Sequence, residues 1–168
     1  MIEALGTLNE LKRKGVIKDY AIGGGYALNY YLEPVLTYDL DIFVLMATDK
    51  EYSALYRYFR GLKYQIKNVY IILEGMPVQF LPSFISPLID EAIRRAKRIR
   101  VKGTPSKVIT VEYLIATLLT AFRPKDKMVI PHLLEQADMR LLDEMLGRFS
   151  DEKTPLDKRL GRILESLQ

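Results

Sequence analysis

Residues 20–44, YAIGGGYALNYYLEPVLTYDLDIFV, decide which fold and which site this chain is expected to form. A short apolar run ends in three consecutive glycines, and a second apolar run contains Asp39 and Asp41 on either side of one leucine. A carboxylate in a buried strand loses hydration and needs a cation, a metal ion or several hydrogen-bond donors as compensation. The stretch therefore predicts a strand, a glycine turn, a helix and a second strand that carries an acidic site.

The spacing of the two aspartates predicts that both side chains point to one face of the strand. Residues two apart on a strand share a face, with Cα atoms roughly 7 Å apart. Both carboxylates can then reach one hard cation or two neighbouring ones, and oxygen ligands favour Mg²⁺ or Mn²⁺. The chain has no cysteine and one histidine, His132, which excludes a thiolate-based zinc or iron–sulfur site. The glycines precede a helix, whose N-terminus and backbone N–H groups can hold a phosphate.

Apolar periodicity and turn residues predict the order helix, strand, helix, strand, helix, hairpin, helix, followed by an all-helical third. The hairpin is expected from KYQIKNVYIILEG and MPVQFLP, with a turn around residues 74–77, and RIRVKG and SKVI are expected to be short extended pieces of a connector. This order predicts an α+β fold with a small mixed sheet flanked by helices. We expect an α+β core over residues 1–105 and a C-terminal helical region over residues 106–168 that packs on the core.

Composition places weaker constraints on location and partners. The net charge of +4 favours an anionic partner such as a nucleotide or RNA, although many ordinary domains are as basic. The first residues lack a signal-peptide pattern and no apolar run approaches the length of a membrane span, so we expect a cytoplasmic protein without membrane contact. Residues 94–102, RRAKRIRVK, hold six basic and no acidic side chains. A solvated strand edge and an RNA-facing surface both explain this run.

The glycines and the aspartates together resemble the signature of the nucleotidyltransferase superfamily. In that signature a glycine pair opens a helix, and an Asp-hydrophobic-Asp element follows on a strand. The residues that match it are Gly24, Gly25, Asp39, Leu40 and Asp41. The resemblance implies a nucleotidyltransferase-like fold in which the acidic residues hold magnesium and the glycine pair lies against the phosphates of a nucleoside triphosphate.

A closer similarity is to the small nucleotidyltransferase-like proteins related to the AbiEii toxins of toxin–antitoxin systems. It rests on Thr37, just before the acidic pair, and on an Arg-x-Lys-Asp element at Arg123, Lys125 and Asp126. This similarity implies that these four residues contribute to nucleotide binding, with Lys125 near the phosphates. It also implies a toxin-like role and an antitoxin-like partner.

The resemblance implies transfer of a nucleoside monophosphate from a nucleoside triphosphate to a hydroxyl group of RNA, a protein or a small molecule. Asp39 and Asp41 would be the catalytic metal ligands. Active members usually carry a third carboxylate on a following strand, and the matching segment here is residues 78–80, VQF, so that Gln79 stands at this catalytic position. Relatives often have an arginine two residues before the threonine, where this chain has Val35.

Three functions stay open on the sequence alone. The first is the nucleotidyl-transferring enzyme. The second is a catalytically impaired module that binds nucleotide or a partner without turnover, because a glutamine cannot accept a proton as a general base does. The third is an α+β adaptor whose glycines and aspartates are structural. Arg123, Lys125 and Asp126 likewise have a structural alternative, as the polar boundary between two helices.

Overall fold

The computed structural model describes residues 1–34 and 36–168, so the expectation for Val35 lies outside the described residues. Contacts divide the chain into two compact units, Met1–Ile109 and Thr110–Gln168. The first unit contains the sheet and the second is helical. Among the described residues, no helix is both long enough and apolar enough to cross a bilayer.

A seven-stranded mixed sheet forms the centre of the first unit. Its strands are β1 (Tyr20–Gly23), β2 (Leu40–Val44), β3 (Ile66–Lys67), β4 (Tyr70–Leu73), β5 (Met76–Pro82), β6 (Lys97–Val101) and β7 (Thr104–Val108). Their order across the sheet is β3-β4-β5-β2-β1-β7-β6. The pairs β1–β7 and β2–β5 are parallel and the other pairs are antiparallel, which confirms the predicted α+β class with a mixed sheet.

The sheet is larger than expected because the predicted connector forms a complete hairpin. Strands β6 and β7 pair from Lys97↔Val108 to Val101↔Thr104. Only Lys102 and Gly103 connect them, with φ angles of +48° and +85°. Two residues with positive φ make a turn whose twist matches that of paired strands, and the same arrangement at Glu74 and Gly75 joins β4 to β5.

Four helices flank the sheet in the first unit. They are α1 (Ile2–Arg13), α2 (Gly24–Tyr31), α3 (Asp49–Gly61) and α4 (Pro87–Arg94). Helix α1 buries Ala4, Leu5, Leu8 and Leu11, a spacing that places them on one face. Helix α3 begins where the Thr48 hydroxyl accepts a hydrogen bond from the Glu51 N–H at 3.3 Å, and its Phe59 ring stacks on Phe80 of β5 at 5.8 Å.

Strand burial shows which part of the sheet is central. All four residues of β1 are buried, and in β2 only Asp41 is not. Such nearly continuous burial is typical of strands covered on both faces. Edge strand β6, by contrast, has no buried residue, and three of its five residues are basic. Charged side chains on an edge strand oppose edge-to-edge aggregation.

The second unit consists of α5 (Val111–Ala121), α6 (Pro124–Leu134), α7 (Met139–Phe149) and α8 (Leu156–Ser166). Its apolar helix faces bury residues such as Leu114, Leu119 and Leu142. Buried Glu112 accepts a hydrogen bond from the Asp138 N–H at 3.0 Å, just before α7 begins. Arg159 of α8 donates to the carbonyl oxygens of Leu119 and Thr120 at 2.8 and 2.9 Å and so satisfies the C-terminal end of α5.

Candidate functional site

The glycine turn lies directly against two of the predicted site residues. Gly24 has a φ of +57°, and a Cβ atom added to it would lie 2.8 Å from Cγ of Asp41. A Cβ atom on Gly25 would lie 2.7 Å from the Thr37 hydroxyl oxygen. Real Cβ atoms do not approach so closely, so only glycine allows the backbone to approach these side chains at both positions. The structure thus brings Gly24, Gly25, Thr37 and Asp41 together.

The acidic pair differs in one respect from the prediction that both aspartates lie on a strand. Strand β2 begins at Leu40, so that Asp41 is its second residue and Asp39 lies just before it. Strand β1 ends at Gly23, opposite Asp41, and on the other side the pairing of β2 with β5 starts only at Leu40↔Val78. Beyond Gly23 the chain turns into α2, and Asp39 has no strand partner there. The Asp39 carbonyl oxygen instead accepts a hydrogen bond from the Thr37 hydroxyl at 3.3 Å.

Both carboxylates nevertheless act on one neighbouring group, the phenol of Tyr70. The negative charge of Asp39 raises the pKa of Tyr70 above its ordinary value, and burial, the charge of Asp41 and a hydrogen bond to Asp39 raise it further. A phenol that responds to both charges lies close to both side chains. Both carboxylates therefore lie near Tyr70, and their role as metal ligands stays a prediction.

Gln79 lies beside Asp41 in the sheet. The parallel pairing of β2 with β5 sets Asp41 opposite Gln79, and the antiparallel pairing of β4 with β5 sets Gln79 opposite Tyr70. Paired residues point to the same face of a sheet. In β5, Gln79 is partly exposed whereas Val78 and Phe80 are buried on the other face. Asp41, Gln79 and Tyr70 consequently form one row across three neighbouring strands.

Sequence reasoning missed Tyr70, although the sequence held the signal for it. Counting outward from the hairpin turn pairs Leu73 with Met76 and, three steps further, Tyr70 with Gln79. The position of Tyr70 beside the acidic pair follows from that register and from the pairing of β5 with β2. The predicted hairpin alone does not place Tyr70 beside the acidic pair, because that position also depends on which strand β5 pairs with.

The donor set at this site fits a hard divalent cation. Asp39 and Asp41 supply carboxylate oxygens, Gln79 supplies an amide oxygen, and Mg²⁺ and Mn²⁺ favour such ligands. The charges of Asp39 and Asp41 both raise the pKa of the neighbouring Tyr70, and a bound cation would offset these charges. Among the described residues, no group of three or more histidine, aspartate and glutamate side chains is placed to hold a metal ion. Two carboxylates are therefore the charged ligands that this site offers.

The predicted Arg-x-Lys-Asp element forms the start of helix α6. The Asp126 carboxylate accepts from the Arg123 N–H at 3.0 Å and from the Arg123 guanidinium at 2.8 and 3.2 Å. Asp126 is only 2% exposed and the two residues form a capping box, so this pair has a structural role in beginning the helix. Lys125 is exposed in the first turn. The role of the three residues in nucleotide binding stays a prediction.

No family model matches the sequence, and no curated protein matches it. Solved structures do match the fold. An antigenic nucleotidyltransferase-like protein from Paracoccidioides brasiliensis is 14% identical, with a TM-score of 0.65 over 98% of this chain and 88% of that one. ANT(2")-Ia, solved in complex with adenylyl-2"-tobramycin, is 15% identical, with a TM-score of 0.51 over 99% and 98% of the two chains. The fold is that of nucleotidyltransferase-like proteins, and at these identities the similarity shows the fold alone.

Proposed function

We propose that this chain is a nucleotidyltransferase that moves a nucleoside monophosphate from a nucleoside triphosphate to a hydroxyl acceptor on RNA, a protein or a small molecule. One observation carries the proposal: the glycine turn packs against Asp41, and the charges of Asp39 and Asp41 converge beside it. A phosphate held by the backbone N–H groups of Gly24 and Gly25 would lie next to the carboxylates. The nucleotidyltransferase-like fold supports the same reading.

Each site residue has a distinct proposed task. Asp39 and Asp41 would hold Mg²⁺ or Mn²⁺, and Gly24 and Gly25 would orient the triphosphate, whose developing charge a bound metal would neutralise. Thr37 fixes the loop that carries Asp39, because its hydroxyl bonds to the Asp39 carbonyl oxygen.

The proposed reaction exchanges one bond to phosphorus for another. The acceptor oxygen forms a bond to the α-phosphorus while the bond from that phosphorus to the bridging oxygen of the β-phosphate breaks. Pyrophosphate leaves, and the hydroxyl proton passes to solvent. Gln79 can orient the attacking hydroxyl through its amide but cannot accept this proton. The residues therefore support positioning of the acceptor more strongly than its activation.

A second candidate function is a nucleotide-binding module with little or no turnover. The observation that favours it is Gln79 directly opposite Asp41, where an active member is expected to have a carboxylate. An amide removes one negative charge from the metal site and provides no general base, whose contribution is typically about 100-fold to 10,000-fold. This candidate shares the nucleotide site with the enzyme and differs from it only in rate.

We further propose, from the similarity to the AbiEii group, a toxin-like role in the cytoplasm and an antitoxin-like partner. If the proposal is correct, expression of the chain alone should arrest growth of a bacterial host, and Asp41→Asn should relieve the arrest. Normal growth at high expression, or an arrest that Asp41→Asn leaves unchanged, would contradict the toxin-like role without bearing on nucleotidyl transfer.

Calorimetric titration with ATP, with and without magnesium, tests the proposed nucleotide site. We expect magnesium-dependent binding that Asp39→Asn and Asp41→Asn abolish, whereas Asp143→Asn, an exposed carboxylate of the helical unit, leaves it unchanged. Transfer of label from α-labelled nucleotides to candidate acceptors then separates the enzyme from the module without turnover. Absence of nucleotide binding in either condition would leave only the adaptor function.

A further inference from the structure

A cleft of about 510 Å³ lies between α1 and the β6–β7 hairpin, away from the acidic site. Four of its lining side chains are cations and none of its lining residues is acidic. The cations, which define what is called the basic cleft below, are Lys12, Arg98, Arg100 and Lys107. In the sheet order, β7 and β1 separate the hairpin's edge strand from the row that contains Asp41.

The floor of the basic cleft is neutral and rigid. The Tyr20 hydroxyl donates to the Asn9 side-chain oxygen at 2.8 Å and lies 3.1 Å from the Ser106 hydroxyl. The Asn9 amide donates in turn to the Pro105 carbonyl oxygen at 2.8 Å, which ties α1 to β7. Burial raises the pKa of Tyr20, so this phenol stays uncharged at physiological pH. The floor therefore adds no negative charge to the four cations of the walls.

Among the described residues, Asp19 is the carboxylate that forms ion pairs with cations of the basic cleft. Asp19 accepts hydrogen bonds from Lys12 at 3.0 Å and from Lys107 at 2.5 Å. Neither Arg98 nor Arg100 forms an ion pair within residues 1–34 and 36–168, although Arg100 donates to the Gly103 carbonyl oxygen at 2.9 Å. Four positive charges thus face one negative charge, which leaves an excess of three.

The charge is arranged along a line rather than around a point. Arg98 and Arg100 are two residues apart on β6 and so share a face, roughly 7 Å apart. Arg98 is opposite Lys107 in the hairpin. Lys97, the residue before Arg98, points to the opposite face of the strand, where its amine lies 5.4 Å from the ring centroid of Tyr30. Arginines spaced along one face of an exposed edge strand fit a single nucleic-acid strand, whose phosphates repeat along its length.

We propose that the basic cleft and edge strand β6 bind the phosphodiester backbone of single-stranded RNA. The contacts are charge-assisted hydrogen bonds from Arg98 and Arg100 to successive phosphate groups. Lys12 and Lys107 add to the attractive field while Asp19 holds them in place. This site is separate from the proposed nucleotide site and does not depend on nucleotidyl transfer.

Fluorescence anisotropy with a labelled RNA of about 16 nucleotides, measured over a series of salt concentrations, tests the proposal. For single strands, the slope of log K against log salt is about −0.7 per phosphate neutralised. Replacing both arginines, Arg98→Gln with Arg100→Gln, should therefore reduce the steepness of this slope by about 1.4 and weaken binding about 25-fold at 0.1 M salt. Both residues are exposed on an edge strand, so thermal unfolding should be nearly unchanged.

Two control variants separate a site from a general charge effect. Arg57→Gln with Arg60→Gln removes the same charge from exposed positions of α3 and should leave the slope close to that of the parent. Arg98→Lys with Arg100→Lys keeps the charge and should keep the slope. Magnesium-nucleotide binding of all these variants should equal that of the parent, so failure of the RNA proposal and failure of the nucleotide site are observed separately.

Three results would overturn the proposal. The first is a parent protein that does not bind the RNA at 0.1 M salt. The second is an equal loss of binding in the α3 control, which would show that only net charge matters. The third is polyglutamate that binds as tightly as RNA of equal charge, which would identify the partner as an acidic protein instead.

Discussion

Gly24→Ala tests whether the glycine turn lies directly against Asp41. The left-handed φ of +57° costs an ordinary residue about 1–2 kcal/mol. In addition, the new Cβ atom would lie 2.8 Å from Cγ of Asp41, so either the turn or the carboxylate must move. Overpacking of this kind costs roughly 1–3 kcal/mol. We therefore expect the free energy of unfolding to fall by about 2–5 kcal/mol in total.

Gly75→Ala is the matched control, because Gly75 also has a positive φ, of +80°, but has no atom within 4 Å of an added Cβ. It should show only the conformational cost of about 1–2 kcal/mol. Urea unfolding followed by circular dichroism measures both variants, and their difference isolates the collision with Asp41. Gly24→Ala should also weaken magnesium-nucleotide binding, whereas Gly75→Ala should not. If Gly24→Ala is no more destabilised than its control, Asp41 does not lie against the turn and the reasoning fails.

Further predictions concern the metal, the missing base, the acid stability and the helical unit. Magnesium should lower the pKa of Tyr70 toward its ordinary value, because the cation offsets the charge of Asp39, which is the largest cause of the raised pKa. Ultraviolet titration of the parent and of Tyr70→Phe measures this pKa, and a pKa that magnesium leaves unchanged would argue against a metal site. Gln79→Asp should tighten magnesium binding and raise labelled-nucleotide transfer by about 100-fold or more, and an unaltered rate would place the base elsewhere. Burial raises the pKa of Asp19, but the hydrogen bonds from Lys12 and Lys107 lower it by more, so that it lies below its ordinary value of 3.8. The stabilisation of the fold by these hydrogen bonds is complete above pH 3.8 and is lost as the pH falls through the lowered pKa. Asp19→Asn should accordingly cost about 1–2 kcal/mol at pH 7 and remove this part of the acid dependence in urea titrations. Lys125→Ala should weaken nucleotide binding roughly tenfold with an unchanged melting temperature, and unaltered binding would leave Lys125 as a residue of the helix boundary.

Local sequence patterns predicted most of the order of the elements, because the spacing of apolar residues differs between helices and strands. The glycine run before α2, the leucines of α1 and the apolar run of β2 each describe a neighbourhood of a few residues. Local patterns do not predict the end of a strand when the pairing with a neighbouring strand determines it. Strand β2 was expected to include Asp39, but it begins at Leu40, where its pairing with β5 starts, and β1 already ends opposite Asp41.

Two aspartates and a glutamine of the candidate site were predictable from the sequence, whereas the neighbouring tyrosine was not. Asp39, Asp41 and Gln79 followed from spacing and from the family resemblance, whereas Tyr70 required the register of two strand pairs. The spacing of Arg123 and Asp126 predicts a nucleotide-binding motif and equally a helix boundary. Their side chains close a capping box at the start of α6, an arrangement that either interpretation of the sequence permits.

The sequence by itself determined the glycine turn, the acidic pair and a basic run with no acidic residue, because each is a matter of residue type over a short stretch. Only the tertiary structure decided which distant residues meet. Asn9 bonds to the carbonyl of Pro105, 96 positions away, and this contact closes the basic cleft between α1 and the β6–β7 hairpin. Such contacts depend on how all seven strands pair with one another. The free energy of that pairing comes from the whole sheet, so the sequence of a single strand does not determine it.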